Sequence, residues 1–359
     1  MAVLAYQSLG IYALALGYLA GAAVQCIVLW VALAHNGFRF RFRFDIRDST
    51  LRETANLVFY PLAGQVLGEL RTLLENFCAS FYAPGILSAL RYASRIIHAI
   101  SGVVMSSVVT ATTPMVAHYV AEKEMDEMKK VIRNGVKLLI FMSTPVCLLL
   151  SFEGLGLIRV LFERGQFSAA DAVLTSGLMA LITPYILFSR TISIMQTPFY
   201  AVKDTKTLCV SMVWSLLGYL MVIGPLLYFF RIYGFPLGTS LATALGTLVM
   251  CFLAHRAFGP MGWNRLSGFA VRMAGAMATS CAGFIGGNLL RTDFGRGGFL
   301  GNCIAAAIPS LIGMSAFGIG AVVFRLMKPV EMAQKFALLG SRKLRWPLST
   351  ANVGPVDSE

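Results

Sequence analysis

Ser88, Arg91, Arg95 and His98 lie three, four and three residues apart within one mostly apolar stretch. On a helix turning about 100° per residue, they fall within an arc of roughly 80°. One stripe would then carry two fixed positive charges, an imidazole and a hydroxyl. Guanidinium groups keep their protons, so two of them stacked a turn apart repel unless an anion lies between or beside them. Their forked donors match phosphate oxygens, and a diphosphate headgroup would suit the pair. Arg91, nearer the end of the stretch, could instead snorkel to a membrane interface. Arg95 sits a turn deeper, where a charge is costly and usually functional. His98 fits a proton site or a neutral packing role equally well.

A second charged group, Glu69, Arg71 and Glu75, precedes it, with Asn76 alongside. Arg71 and Glu75 are four apart and share a helix face, so they can pair, whereas Glu69 points elsewhere. Either this is an intrahelical ion pair that makes the helix tolerable in a bilayer, or the carboxylates couple a cation or meet a substrate. Further on, Ser189, Arg190, Thr191, Ser193, Gln196 and Thr197 run up to Pro198. Such a run suits a helix lining a wet cavity, and interhelical hydrogen bonding would explain it as well.

The elements that must position these groups are membrane spans. Of the 359 residues, 57% are hydrophobic and only 13% charged, and the mean hydropathy is +0.71. A globule of this size could not hide so much apolar surface, which excludes a water-soluble enzyme and a disordered chain. With about 20 residues needed per crossing, the apolar runs predict an all-α, polytopic membrane protein. About nine spans are expected, near 8–34, 54–82, 88–117, 134–160, 169–200, 206–229, 235–256, 267–289 and 299–326. The second and fifth are more polar than lipid-facing helices. Prolines at 61, 114, 145, 184 and 225 permit kinks where neighbours satisfy the freed carbonyls. Glycines at 238, 246, 286, 287 and 318 point to close helix packing.

The net charge of +13 resides in the links between spans. Arginines alternate with Phe from Phe38 to Phe44 and continue to Arg47 and Arg52. Lys123, Lys129, Lys130 and Arg133, then Lys203 and Lys206, then Arg256 and Arg265, and finally Lys328 with Arg342, Lys343 and Arg345 fall on the same side. The other side holds little beyond Arg164, Arg231, Arg291 and Arg296. The basic side should be cytoplasmic, facing anionic lipids rather than nucleic acid. This puts the first residue outside and the last inside. Residues 1–7 hold no Lys or Arg to orient the first span, which suggests that something normally precedes this sequence.

No metal spacing, phosphate-cradling loop or nucleophile elbow is present, and no cofactor is implied. The seven cysteines (26, 78, 147, 209, 251, 281 and 303) all lie in apolar stretches and read as small buried hydrophobes. An integral-membrane glycosyl- or acyltransferase would want an acidic or His cluster on an interface loop, and none offers it.

Three segments carry a family resemblance. Ser88-Ala-Leu-Arg91-Tyr92-Ala-Ser94-Arg95 resembles the Ser-x-x-x-Tyr-Ala-Asp-Arg segment of the MurJ (MviN) lipid II flippases, members of the MOP exporter superfamily. Leu161-Phe162-Glu163-Arg164-Gly165-Gln166-Phe167, followed by Ala170-Asp171, is similar to the family's Leu-Phe-Glu-Arg-Gly-x-Phe motif. Phe199-Tyr200-Ala201, with Lys203-Asp204-Thr205-Lys206-Thr207, is similar to its Phe-Tyr-Ala-x-x-Asp-Thr-Lys-Thr-Pro signature. The resemblance covers most of the chain and is strongest from about residue 37 to 256. There are departures. Ser94 replaces the Asp before Arg95, His98 the acid three residues after it, and Leu208 the closing Pro. Tyr219 stands where the family often has Asn.

The resemblance implies a MATE-like helical bundle, here corresponding to the sixth through fourteenth of the family's fourteen helices and lacking most of the N-terminal lobe. It divides the chain into 1–87, a remnant of that lobe with two spans; 88–327, the C-terminal lobe with about seven; and 328–359, a basic cytoplasmic tail. It also implies transport rather than enzymatic catalysis. Undecaprenyl-diphosphate-linked peptidoglycan precursor would cross the bacterial inner membrane by alternating access, in the service of cell wall biogenesis. Arg95, Arg91, Ser88 and Arg190 would hold the diphosphate, with Glu75, Glu69 and His98 as coupling groups. Two other readings stay open: a flippase for another polyprenyl-linked oligosaccharide, and a truncated, non-transporting subunit that a separate N-terminal-lobe polypeptide would complete.

Overall fold

The computed structural model describes residues 12–35, 49–163, 167–290 and 298–326. Several features of the loops lie outside these residues: the Phe–Arg alternation with Arg47, Arg164, Arg291, Arg296 and the basic tail. The side chains of Arg52, Arg265 and Cys303 are likewise not described. All regular structure among the described residues is helical. Two units are distinguished, residues 1–54 and 55–359. The first contains α1, Tyr12–His35, whose 24 residues hold no Asp, Glu, Lys or Arg. Such a helix is about 36 Å long, enough to cross a hydrocarbon core.

The remaining helices are α2 (Ser49–Ala79), α3 (Ile86–Ala121), α4 (Met125–Phe162), α5 (Ala169–Ile182), α6 (Pro184–Ala201), α7 (Thr205–Phe230), α8 (Gly234–Phe258), α9 (Asn264–Leu290) and α10 (Gly298–Val323). The nine expected spans correspond to these helices, with the fifth divided into α5 and α6. Among the described residues, length and apolarity alone mark six stretches as able to cross a membrane, or seven when bent α3 counts as one. One of the six, 205–258, is folded into the two packed helices α7 and α8. Only α2 fails on apolarity, and the reason lies in what its polar face lines.

The division of the fifth span follows from Pro184, which has no N–H to continue the ladder. Around it, side chains of neighbouring helices donate to backbone carbonyls. The Ser240 hydroxyl donates to the Leu181 carbonyl at 2.8 Å, and the Cys147 thiol to that of Thr183 at 3.7 Å. Helix α3 bends by 46° between its halves, 86–102 and 106–121. At the bend the Ser106 hydroxyl donates back to the Gly102 carbonyl, a bond that favours curvature.

α3, α4, α5, α6 and α8 pack together around a core that includes Ala93, Ile97, Ile132, Leu139, Leu178, Ile194, Phe199 and Phe235. α7 folds back along α8, and α9 pairs with α10 in a hairpin laid against α4. Small residues allow both close approaches. The space a Cβ would need at Gly238 is taken by Ile223 and Tyr219, and that at Gly287 by the Pro309 backbone. Of the five glycines expected at close contacts, Gly238, Gly246 and Gly287 are so used. Gly286 and Gly318 have open space beside them, because they face away from the neighbouring helix. The expectation of buried cysteines needs a similar correction. The six described cysteines are free and only Cys147 is buried, while Cys26 is exposed on α1.

A paired substitution tests the packing. A Cβ on Gly283 would lie 2.6 Å from that of Ala316 and 3.2 Å from the Ile312 carbonyl oxygen. Gly283→Ala should therefore destabilise the α9–α10 hairpin by about 1–3 kcal/mol. Gly286→Ala, three residues on, should be neutral or slightly stabilising, since it gains helix propensity without a clash. Thermal unfolding in detergent distinguishes the two.

Candidate functional site

The charged face of α2 borders empty space. α2 makes no extensive backbone contact with any other described helix; it is held by side chains. The Lys206 ammonium lies 5.7 Å from the centre of the Tyr60 ring, and the Arg71 guanidinium 5.6 Å from that of Tyr219. Between α2 and its neighbours the stand-off leaves two adjoining chambers.

The first, about 390 Å³, is lined by Arg71, Thr72, Glu75 and Asn76 of α2, Arg91, Ser94, Arg95 and His98 of α3, Tyr185 of α6 and Thr239 of α8. The second, about 400 Å³, takes Gln65, Glu69 and Arg71 from α2, Ser189, Arg190, Ser193 and Gln196 from α6, Ser211 and Ser215 from α7, and Thr243 from α8. Arg71 and Tyr185 belong to both chambers and mark their junction. Gln65 leads on from the second into a smaller cavity of about 330 Å³ beside Lys203 and Thr205. A run of cavities thus follows α2 over much of its length, the last of them lined mainly by apolar side chains such as Val58, Pro61 and Leu62. Its first chamber is cationic, while hydroxyls and amides predominate in the second.

Each segment with a family resemblance has a positional role here. Tyr92 packs at a tilt against Phe162, with ring centres 5.0 Å apart, and meets Phe167 edge-on at 5.9 Å. The first two segments therefore touch, and this aromatic trio anchors the turn of α3 that carries Arg91 and Arg95. At the third segment, Lys203 adopts a left-handed conformation (φ 60°) and the Asp204 N–H returns to the Phe199 carbonyl at 2.9 Å. The Asp204 carboxylate then accepts from the Thr207 N–H at 3.2 Å and from its hydroxyl at 2.6 Å, capping α7. The turn ends α6 and starts α7, the helices that wall the second chamber.

The residues singled out from sequence fall as follows. Arg91, Arg95, His98 and Glu75 come together in the cationic chamber, and Glu69 and Arg190 line the other. Ser88 is exposed one turn before Arg91 and borders neither. His98 meets the Tyr185 ring edge-on, with centres 5.4 Å apart, at the junction. Arg190 is partly engaged already, its Nη2 donating to the Ser101 hydroxyl of α3 at 3.2 Å. The polar run on α6 divides by face. Ser189, Arg190, Ser193 and Gln196 line the chamber and Thr191 and Thr197 do not, although the hydroxyls of Ser189, Thr191, Ser193 and Thr197 all donate back to carbonyls of their own helix, those of Ile186, Leu187, Ser189 and Ile194.

Of the two readings left open for Arg71 and Glu75, the intrahelical ion pair is not formed; no oxygen–nitrogen contact between them lies within 4.0 Å. Arg71 instead lies over Tyr219, and its Nε is buried with no hydrogen-bond partner. Glu75 has Arg71 and the Thr239 hydroxyl as polar neighbours. Sequence reasoning missed Tyr185, because an aromatic residue in an apolar run reads as packing, and noted Tyr219 only as a departure from the family's Asn, not as a partner of Arg71. No group of three or more His, Cys, Asp or Glu that could hold a metal ion occurs among the described residues. The chambers can offer guanidinium donors to an anion and hydroxyl and amide groups to a polar body beside it.

The family model described as "Lipid II flippase MurJ" matches residues 1–305. A protein of Rhizobium meliloti (strain 1021) named probable lipid II flippase MurJ is 30% identical over 202 residues, covering 55% of this chain and 36% of that one. Its counterpart in Vibrio cholerae is 22% identical over 280 residues, covering 78% and 53%. A solved structure titled "Lipid II flippase MurJ, inward closed conformation" superposes with a TM-score of 0.65 at 20% identity, covering 91% of this chain and 65% of that one; at that identity it speaks for the fold. The chain thus spans about a third to two thirds of the length of these relatives. With the family model matched over residues 1–305, this multi-pass helical membrane protein belongs to the lipid II flippase MurJ family.

Proposed function

We propose that the chain carries the headgroup-binding part of a lipid II flippase, moving a polyprenyl-diphosphate-linked peptidoglycan precursor across the bacterial inner membrane. The observation that carries this reading is the cationic chamber. It brings Arg71, Arg91 and Arg95 from two helices around one space with a single carboxylate, Glu75. Guanidiniums gathered in a membrane without matching carboxylates require an anion. A diphosphate fits there through bidentate contacts, and the adjoining hydroxyl- and amide-lined chamber offers partners for sugar or peptide. The prenyl tail would stay in lipid.

Arg95 and Arg91 hold the diphosphate in this reading, and Arg190 contacts the headgroup from the second chamber. Ser88, outside both chambers, could contribute only through a change of conformation. Glu75, Glu69 and His98 are the candidates for coupling, since only a ligand with different affinities for the two access states can drive the change. In this reading the distribution of Lys and Arg over the links favours a cytoplasmic C-terminus. Arg91, Arg95 and His98 remain exposed along the chamber, so further transmembrane helices would close it. In this reading they form the N-terminal lobe, on the same polypeptide or a separate one.

Arg95→Ala should abolish complementation of a strain depleted of its flippase when the chain is supplied with such a lobe, and Arg95→Lys should recover part of it. Full activity in the alanine variant would remove the binding proposal. Hydration of the chambers is testable apart from transport. Placed on a background without native cysteines, Ser94→Cys and Ser193→Cys should react with a membrane-impermeant thiol reagent, and Ile97→Cys, fully buried on the same helix as Ser94, should not. Equal labelling at all three positions, or at none, would contradict a water-filled site.

A further inference from the structure

Arg71 is poorly explained as a structural counter-ion. It makes no ion pair within 4.0 Å with Glu75, although the two are one helical turn apart. Its guanidinium is steadied by the Tyr219 face, a platform only 1% exposed, whose ring edge occupies the space a Cβ would need at Gly238. A cation held by a ring face keeps its N–H groups available, because the attraction is to the ring quadrupole and uses no acceptor. The buried Nε has no hydrogen-bond partner. Arg71 is therefore oriented without being satisfied, at the junction of the two chambers and across the first from Arg91 and Arg95.

The charges of the cationic chamber give this placement a consequence. Three guanidiniums against the Glu75 carboxylate leave a surplus of two positive charges. A lipid joined to a sugar through a diphosphate carries two ionised phosphoryl oxygens, whereas one joined through a single phosphate carries one. We infer that Arg71 is a specificity-determining residue. It contacts one phosphate of a diphosphate-linked polyprenyl carrier while Arg95 and Arg91 hold the other, and so selects diphosphate-linked over monophosphate-linked lipids. The inference rests on the flippase reading above and deepens it.

Binding of two soluble probes to the purified full chain tests it: a farnesyl-diphosphate-linked sugar and the matching farnesyl-phosphate-linked sugar, measured by calorimetry. The wild type is expected to favour the diphosphate by about tenfold or more, the scale of one charge-assisted hydrogen-bonded contact. Arg71→Gln should lose that preference while keeping its affinity for the monophosphate probe, and Arg71→Lys should keep part of it. Arg71→Gln/Glu75→Gln returns the charge surplus to two but lacks the second fork, so it should stay unselective. Recovery of the preference there would reduce Arg71 to the balancing charge of Glu75 and overturn the inference, as would unchanged preference in Arg71→Gln. Arg95→Ala separates the two levels. If it weakens both probes while Arg71→Gln alters neither, the cationic-site reading stands and the role of Arg71 falls. If Arg95→Ala alters neither, both fall. Unfolding temperatures of each variant exclude collapse of the fold as the cause.

Discussion

Charge inside a bilayer is the constraint from which the other features follow. A guanidinium in a span costs about 2.5–3.5 kcal/mol on translocon-insertion scales, and this chain places Arg71, Arg91, Arg95 and Arg190 within its helices. They become tolerable only if protein and water, rather than acyl chains, surround them. α2 meets that requirement by standing apart from α6, α7 and α8 while side chains hold it in place, so that its polar face borders chambers instead of lipid. Its low apolarity is thus a property of the site.

The surrounding bundle keeps that gap from closing. Residues of the three family-like segments touch or terminate the helices that wall the chambers, through the Tyr92–Phe162–Phe167 trio and the Asp204 cap. In the tight pairs α7–α8 and α9–α10, glycines let backbones approach until side chains interlock. Dense packing there contrasts with the open seam along α2. Two discrete arrangements about such a seam are what the proposed alternating access requires, and the 46° bend within α3 is where a helix bordering it departs from straightness.

Much of this was legible in the sequence, for physical reasons. Span number follows from apolar length, which the bilayer dictates, and the stripe of Arg91, Arg95 and His98 follows from helical periodicity alone. The partners of each charge could not be read. Arg71 and Glu75 have the spacing of an ion pair, yet the guanidinium lies on Tyr219, a residue far away in the chain whose position only the fold of α7 against α8 determines. Ser88 shares the arc of Arg91 and Arg95 but is too near the helix start to reach the chamber, because angular position says nothing about depth. Gly286 and Gly287 look alike in sequence, and only one faces a neighbour.

On the proposed function, the guanidiniums along α2 and α3 face a hydrated space able to receive a diphosphate. Solid-state NMR with phosphorus in a bound polyprenyl diphosphate and nitrogen-15 in the arginine side chains measures that proximity in a bilayer. Dipolar coupling between phosphorus and guanidinium nitrogen, diminished in Arg95→Ala, is the expected result. Absence of coupling to any arginine, or coupling indifferent to the loss of Arg95, would contradict it.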